Sequence, residues 1–170
     1  DRCPYDKDND IDNDAICGDI DNCPTIGNTN QTDSNQNGIG DACDFISLNI
    51  SLKQNWNLIS IPLTLKNNSI EYVFGSIMNK VTVINSFENG AKTYDPQLPE
   101  FSDLHNIDYL HGYWVKMNQP ANLSVIGTTP ENKTINLATG WNLISYLCNQ
   151  SKNVSDVFSS IMNKVIVING

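Results

Sequence analysis

The stretch DKDNDIDND, Asp6 to Asp14, decides how this chain is read. It sets five aspartates on alternate positions, with Lys7, Asn9, Ile11 and Asn13 between them. Carboxylates this close repel one another, so a folded segment keeps them ionised only where something opposes their charge. The nearby bases, Arg2 and Lys7, are too few. Residues 1–44 carry eleven aspartates against those two, a net of −9; residues 45–170 carry eight acids and eight bases, a net of zero. The whole formal charge sits in the first quarter of 170 residues. That asymmetry predicts two modules, 1–44 and 45–170, meeting near Asp44–Phe45. No basic patch exists to meet phosphates, so nucleic acid is not an expected partner. No apolar run reaches the ~18 residues of a membrane span, so no membrane insertion is expected. The chain opens at Asp1 without a charged-then-apolar leader, as a mature or excised piece of something longer would.

Apolar residues are as uneven as charge. Segment 1–44 holds Tyr5, Ile11, Ile16, Ile20, Ile26 and Ile39 and little else that is large. Such a segment cannot bury enough surface to offset its chain entropy. Either it is a disordered acidic linker or something other than a hydrophobic core holds it. Four of the five cysteines lie here: Cys3, Cys17, Cys23 and Cys43. Cysteine density in a coreless segment points to disulfides and an oxidising, extracellular compartment. Zinc is the weaker reading, because no paired CxxC and no nearby His accompany the thiols. The fifth, Cys148, reads as a buried thiol on a strand.

Calcium answers the charge. It is a hard cation that takes six to eight oxygens from carboxylates, amides, backbone and water. A calcium loop of the EF-hand kind draws ligands from positions 1, 3, 5, 7, 9 and 12, the seventh through its backbone carbonyl, with Gly favoured at 6. One frame gives Asp10, Asp12, Asp14, the Ile16 carbonyl, Gly18 and Asp21. A second gives Asp33, Asn35, Asn37, the Ile39 carbonyl, Asp41 and Asp44, with Gly38 at the sixth position. The first frame departs with Ala15 at position 6 and Gly18 at 9, which draws in Asp19 or water. Upstream, Asp6 and Asp8 would share a further ion with Asp10 and Asp12. The flanking helices of an EF-hand are missing. The connecting DNCPTIGNTNQT is full of turn formers.

Here the segment resembles a known family. The Asp-x-Asp-x-Asp run, DNCP at 21–24, Asn28 and Asn30–Gln31 after it, and GIGDACD at 38–44 are similar to thrombospondin type 3 repeats. The resemblance covers residues 1–44. It implies a calcium-wrapped, disulfide-stapled irregular coil in which bound ions replace a core. The family's sequential pairing implies Cys3–Cys17 and Cys23–Cys43. Asn35 and Asn37 stand where Asp is usual, which implies a weaker second site. Bacterial dockerins share Asp/Asn loops but lack DNCP and the cysteines.

The second module predicts an α+β, mainly antiparallel β fold with two short amphipathic helices. ISLNISLK (46–53) alternates as a half-buried strand, and WNLISIPL (56–63), KVTVINSFE (80–88), GYWVKM (112–117), ANLSVIG (121–127) and KTINLA (133–138) read as further strands. Ile70, Val73, Phe74, Ile77 and Met78 form one apolar helical stripe, with Asn68 as cap and Glu71 completing a loose capping box. The pattern then repeats. NWNLISIPL and NSIEYVFGSIMNKVTVIN (55–85) match GWNLISYLC and KNVSDVFSSIMNKVIVIN (140–169), an internal repeat of about 85 residues. The second helix carries Val154, Val157, Phe158, Ile161 and Met162, with Asn153 and Asp156 at its cap. The second copy stops at Gly170, before any counterpart of GYWVKM. Either a longer tandem array follows or another subunit completes the half-unit. An incomplete β module exposes an edge, and edges recruit strands. The module is also similar to an uncharacterised GWNLIS/GYWVKM-type repeat of archaeal and bacterial cell-surface proteins.

Enzyme chemistry is not expected. His105 and His111, beside Asp103 and Asp108, read as a surface loop rather than an acid/base or metal pair. No nucleophile elbow, HExxH or phosphate-cradling loop is present. Tyr109, Tyr113 and Trp114 at strand spacing read as core, with sugar stacking as the alternative. Acceptors for N-glycosylation occur at Asn30, Asn49, Asn67, Asn122, Asn132, Asn149 and Asn153. The chain is therefore expected to be a structural, extracellular, cell-surface protein. It would be a calcium-stabilised subunit of a fibre, sheath or tandem-repeat protein, joined head to tail to itself or to neighbouring repeats. The alternative is an adhesin or glycan-binding module on a calcium-rigidified stalk, with glycans as partners.

Overall fold

The computed structural model describes residues 3–4, 7, 9–148 and 151–169. Among the described residues of 3–44 there is neither helix nor strand, only turns and bends. Two disulfides, Cys3–Cys17 and Cys23–Cys43, cross-link this segment. It runs into the β module with no linker: Asp44 N–H donates to the Gly40 carbonyl at 2.9 Å and Phe45 N–H to the Cys43 carbonyl at 3.0 Å.

Phe45 opens β1 (Phe45–Leu52), which pairs antiparallel with β6 (Ala121–Thr128). The alternation of Ile46, Leu48, Ile50 and Leu52 turns one face inward, where Leu48 faces Val125 and Ile50 faces Leu123. Ile46 faces Gly127, whose missing Cβ matters: an added one would lie 2.5 Å from the Thr64 carbonyl oxygen and 3.0 Å from Leu63 Cβ. Thr64 and Thr128 exchange backbone hydrogen bonds at 2.9 and 3.0 Å across that contact.

A four-stranded antiparallel sheet follows, in the order β2 (Asn55–Ser60), β5 (Gly112–Met117), β3 (Val81–Phe87), β4 (Ala91–Tyr94). Tyr113, Val115 and Met117 of the central β5 are almost wholly buried with Ile59, Ile84, Leu52, Leu123 and Val125 in one core. That core is closed by Ile70, Val73, Phe74 and Ile77, the expected apolar stripe. Their backbone is not one helix. A single α turn, α1 (Ile70–Val73), gives way to a 3-10 stretch, Gly75–Lys80. Gly75 and Ser76 are weak helix formers placed where the α ladder would continue. The cap is Ser69 rather than Asn68, its Oγ accepting from Tyr72 N–H at 3.3 Å. Glu71 then falls one position short of a capping box.

Strand β4 was not expected. It returns through Glu88-Asn89-Gly90, where Asn89 at φ 52° and Gly90 at φ 145° take the positive values a tight hairpin demands. The expected strand 133–138 does not form: that run is almost entirely exposed and has no ladder partner. The stretch read as a second copy has the helical turn α2 (Val154–Val157), with Asn153 at the N-cap position but making no side-chain capping bond, and a 3-10 turn at Met162–Lys164. It forms no strand among its described residues, only the bridge Ile144–His111. Cys148 is therefore an exposed thiol outside any strand, not a buried one. No helix among the described residues is long and apolar enough to cross a membrane.

Candidate metal centre

Two stretches of the N-terminal segment fold into the same loop. In the first, Asp10 Oδ1 and Oδ2 accept from the N–H groups of Asp14 and Ala15 at 3.0 and 2.9 Å. Asp12 Oδ1 accepts from Asp14 N–H at 3.3 Å, and Asp14 Oδ1 from Ile16 N–H at 2.9 Å. In the second, Asp33 Oδ1 and Oδ2 accept from Asn37 and Gly38 at 3.2 and 2.8 Å. Asn35 Oδ1 then accepts from Asn37 N–H at 3.0 Å, and Asn37 Oδ1 from Ile39 N–H at 2.8 Å. Position for position the bonds are the same: 1 takes 5 and 6, 3 takes 5, 5 takes 7. The backbone agrees, with positive φ at the fourth residues, Asn13 at 62° and Gln36 at 58°, and at the sixth, Ala15 at 83° and Gly38 at 86°. Gly suits that sixth position; Ala15 occupies it against steric preference.

The first loop gathers the charge. Carboxylate oxygens of Asp10, Asp12 and Asp14 all lie within 4.8 Å of one another, the only such group of three or more metal-ligating side chains among the described residues. Oxygens on one calcium, each about 2.3–2.6 Å from it, are separated by at most ~5 Å, so the spacing fits. Asp12 Oδ2 is buried and has no hydrogen-bond partner. Burial pushes the Asp12 carboxyl above its ordinary range. The charges of Asp14, Asp21 and Asp10 push the same way, while the Asp14 N–H bond pulls back. Asp21, twelfth in the frame, stands outside that group of three, its Oδ1 accepting from Cys23 N–H at 2.7 Å. The donor set is all oxygen, as a hard cation requires.

In the second loop Asp44 Oδ2 accepts from the amides of Asn35 and Asn37 at 2.8 and 3.3 Å, so the last position closes on the third and fifth with less charge. Asp41 does something else. It is buried, and its two oxygens accept from Ser34 N–H and Ser34 Oγ–H at 2.9 and 2.6 Å. It ties the loop shut from outside its mouth. Asp19 is exposed. Asp6 and Asp8, and with them the third shared ion, lie outside the described residues, as does Asn149; the other six glycosylation acceptors are exposed.

Between the loops runs an amide lattice that reading for turn formers missed. Gln31 Nε2 donates to Asp21 Oδ1 at 2.9 Å and to Asn28 Oδ1 at 3.0 Å. Asn22 Nδ2 donates to the Gln31 carbonyl, and Asn28 Nδ2 to Asn22 Oδ1 at 2.7 Å. Asn28 N–H donates to Asp14 Oδ2 at 2.6 Å, joining the lattice to the carboxylate cluster. The density of Asn and Gln after DNCP was the available signal.

Residues 1–31 and 32–45 match the family model of the thrombospondin type 3 repeat. The N-terminal segment is thus a type 3 repeat region. Such repeats are calcium-binding extracellular modules, and the two disulfides fit that setting. No curated protein and no solved structure matches the chain.

The histidines do not assemble a comparable site. His111 Nδ1 lies 2.8 Å from Asp108 Oδ2, three residues back in a turn that Asp108 Oδ1 also caps. Asp103 is engaged elsewhere, accepting from Thr93 N–H at 2.7 Å with Lys92 at 3.8 Å. Of the aromatic row, Tyr113 is buried, Tyr109 half-buried and Trp114 exposed.

Proposed function

We propose that residues 1–45 take up calcium and act as the rigid stalk of a structural cell-surface protein, a unit of a fibre, sheath or tandem-repeat array. The observation that carries this reading is the pair of loops with one hydrogen-bond frame, the first leaving Asp12 Oδ2 buried without a partner. Asp10, Asp12, Asp14, Asp21 and the Ile16 carbonyl would hold one ion. Asp33, Asn35, Asn37, Asp44 and the Ile39 carbonyl would hold another more weakly, because affinity follows ligand charge. A bound cation supplies the charge that the cluster lacks, and binding free energy becomes folding free energy for a segment without a core. No catalytic constellation enters this reading.

The β module would be the point of association. In the second copy of the repeat Trp141 is 64% exposed and Ile166 fully exposed. Next to Ile166, Val167 and Ile168 stand where Val83 and Ile84 pair with β5 in the first copy. A strand pair from a neighbouring copy or repeat would complete it head to tail, a contact that need not close.

Calorimetry with light scattering during a calcium titration tests both parts. Heat uptake that saturates, with Asp12→Asn weakening the tighter site about tenfold or more, is the expected result. Absence of any calcium-dependent heat would overturn the stalk. Particles that stay monomeric at every protein concentration would remove self-association and leave the stalk standing.

A further inference from the structure

The outer face of the four-stranded sheet is unlike the rest of the surface. Trp56 and Leu58 of β2 point outward beside Trp114 and Lys116 of β5. The register sets Trp56 opposite Lys116 and Leu58 opposite Trp114, so the two indoles are diagonal neighbours about 7–8 Å apart at the backbone. Asn85 of β3 stands opposite Trp114 on the other side. Trp56, Asn85 and Trp114 line one shallow cavity. We infer that this face binds a neutral saccharide, a flat pyranose ring stacked on the indoles and hydrogen-bonded by Asn85.

Each part has a chemical reason. A pyranose with equatorial hydroxyls presents a face of C–H groups, which packs on an indole as another apolar ring would. Its rim of hydroxyls needs a planar donor or acceptor at the edge of that stack. Asn85 supplies one: Thr93 Oγ–H donates to its Oδ1 at 3.0 Å, which orients the amide and leaves Nδ2–H₂ to donate into the cavity. Lys116 has its Nζ 5.6 Å from the centroid of the Trp56 ring and braces that indole. Among the described residues no acidic side chain lines the cavity, as a basic ligand or a metal would require.

Area argues against a protein occupant. Trp56 is 47% and Trp114 41% exposed, which leaves roughly 200 Å² of indole surface if a whole Trp buries about 250 Å². A stable protein interface needs about 800 Å² per side. The footprint suits one or two sugar rings. This inference is independent of the calcium stalk, since none of its residues lies before Phe45.

The three indole N–H resonances of the ¹⁵N-labelled full chain test it, titrated with cellohexaose and separately with chitohexaose. The signals of Trp56 and Trp114 are expected to move and that of Trp141 to stay, with affinity in the ~0.1–1 mM range of a small open site. Trp114→Ala is expected to abolish the shifts. Asn85→Ala, on a half-exposed position that leaves the core intact, weakens binding about tenfold. Still indoles at about 10 mM of both sugars, or equal shifts of all three, would overturn the site. So would Trp56 and Trp114 signals that change on protein dilution alone, which would assign the face to contacts between copies.

Discussion

Residues 3–44 and residues 45–128 are held by opposite means. The β module buries Phe74, Ile61, Ile70, Ile84, Val115 and Leu123 completely, and neither disulfide reaches it. Among its described residues the N-terminal segment buries no large apolar side chain; the buried ones are Cys3, Cys23, Asp14, Asn28, Gly40 and Asp41. In one, order follows from removing surface from water. In the other it follows from fixed distances between oxygens, amides and sulfurs. The first tolerates changes of charge and fails when volume is lost. The second should tolerate loss of its isoleucines, four of which are exposed by a third or more, and fail when a donor, an acceptor or a sulfur is removed.

Truncation in the core should break the contrast most. Phe74→Ala is expected to cost the β module about 3–5 kcal/mol, read from urea unfolding, while calcium uptake by the segment persists. The matching change in the second copy, Phe158→Ala, removes a half-buried ring and should cost about 1 kcal/mol or less. Equal costs would mean that the second copy is as fully packed as the first.

Cutting the Cys23–Cys43 bond comes next. Replacing both by Ser opens a loop of 20 residues' separation and should remove about 2–4 kcal/mol from the segment alone. Hydrogen exchange checks this: amides of 23–43 lose protection and those of β5 keep theirs. Loss of protection in both would show that the β module leans on the segment.

A single methyl probes the tightness of the amide lattice. A Cβ at Gly40 would meet Asn22 Oδ1, Cys23 Sγ at 2.6 Å and Asn28 Nδ2 at 2.7 Å, so Gly40→Ala should cost about 1–3 kcal/mol. Its melting temperature falls, whereas Gly75→Ala, with open space around it, is neutral or stabilising.

The smallest effect is one of pH. Burial raises the Tyr113 hydroxyl well above its ordinary 10, against a lesser pull from its Asp108 hydrogen bond. A raised folded value means that the stability is present below pH 10 and is lost as pH climbs from there toward the folded value. Tyr113→Phe should flatten that alkaline slope and cost about 0.5–1.5 kcal/mol at neutral pH through the lost bond from Asp108 N–H at 2.8 Å. An unchanged slope would put the alkaline sensitivity elsewhere.

Local patterns were readable in the sequence and distant ones were not. The loop frames were legible because the bonds that turn them each span five residues or fewer, and the spacing of Asp and Asn encodes those bonds directly. Strands with clean alternation, β1 and β6, were legible for the same reason, although KTINLA alternates too. Whether such a run pairs depends on a neighbour the sequence does not name, and none reaches residues 133–138. The role of Asp41 was hidden because position 9 of the frame invites a ligand, while Ser34 claims both its oxygens. The meeting of Trp56 with Trp114 depends on a register between strands more than fifty residues apart.

The seam at Phe45 has a mechanical meaning. The N-terminal segment enters β1 at Phe45, and the chain leaves β6 at Thr128, directly opposite. Tension on the two would therefore arrive at the same end of one ladder and tear it open rung by rung, the weak direction for antiparallel strands. At that rung Thr64 grips Thr128 with two backbone bonds over a glycine too tightly packed to admit a side chain. The module carries an extra pair of backbone bonds where a pull would start to undo it.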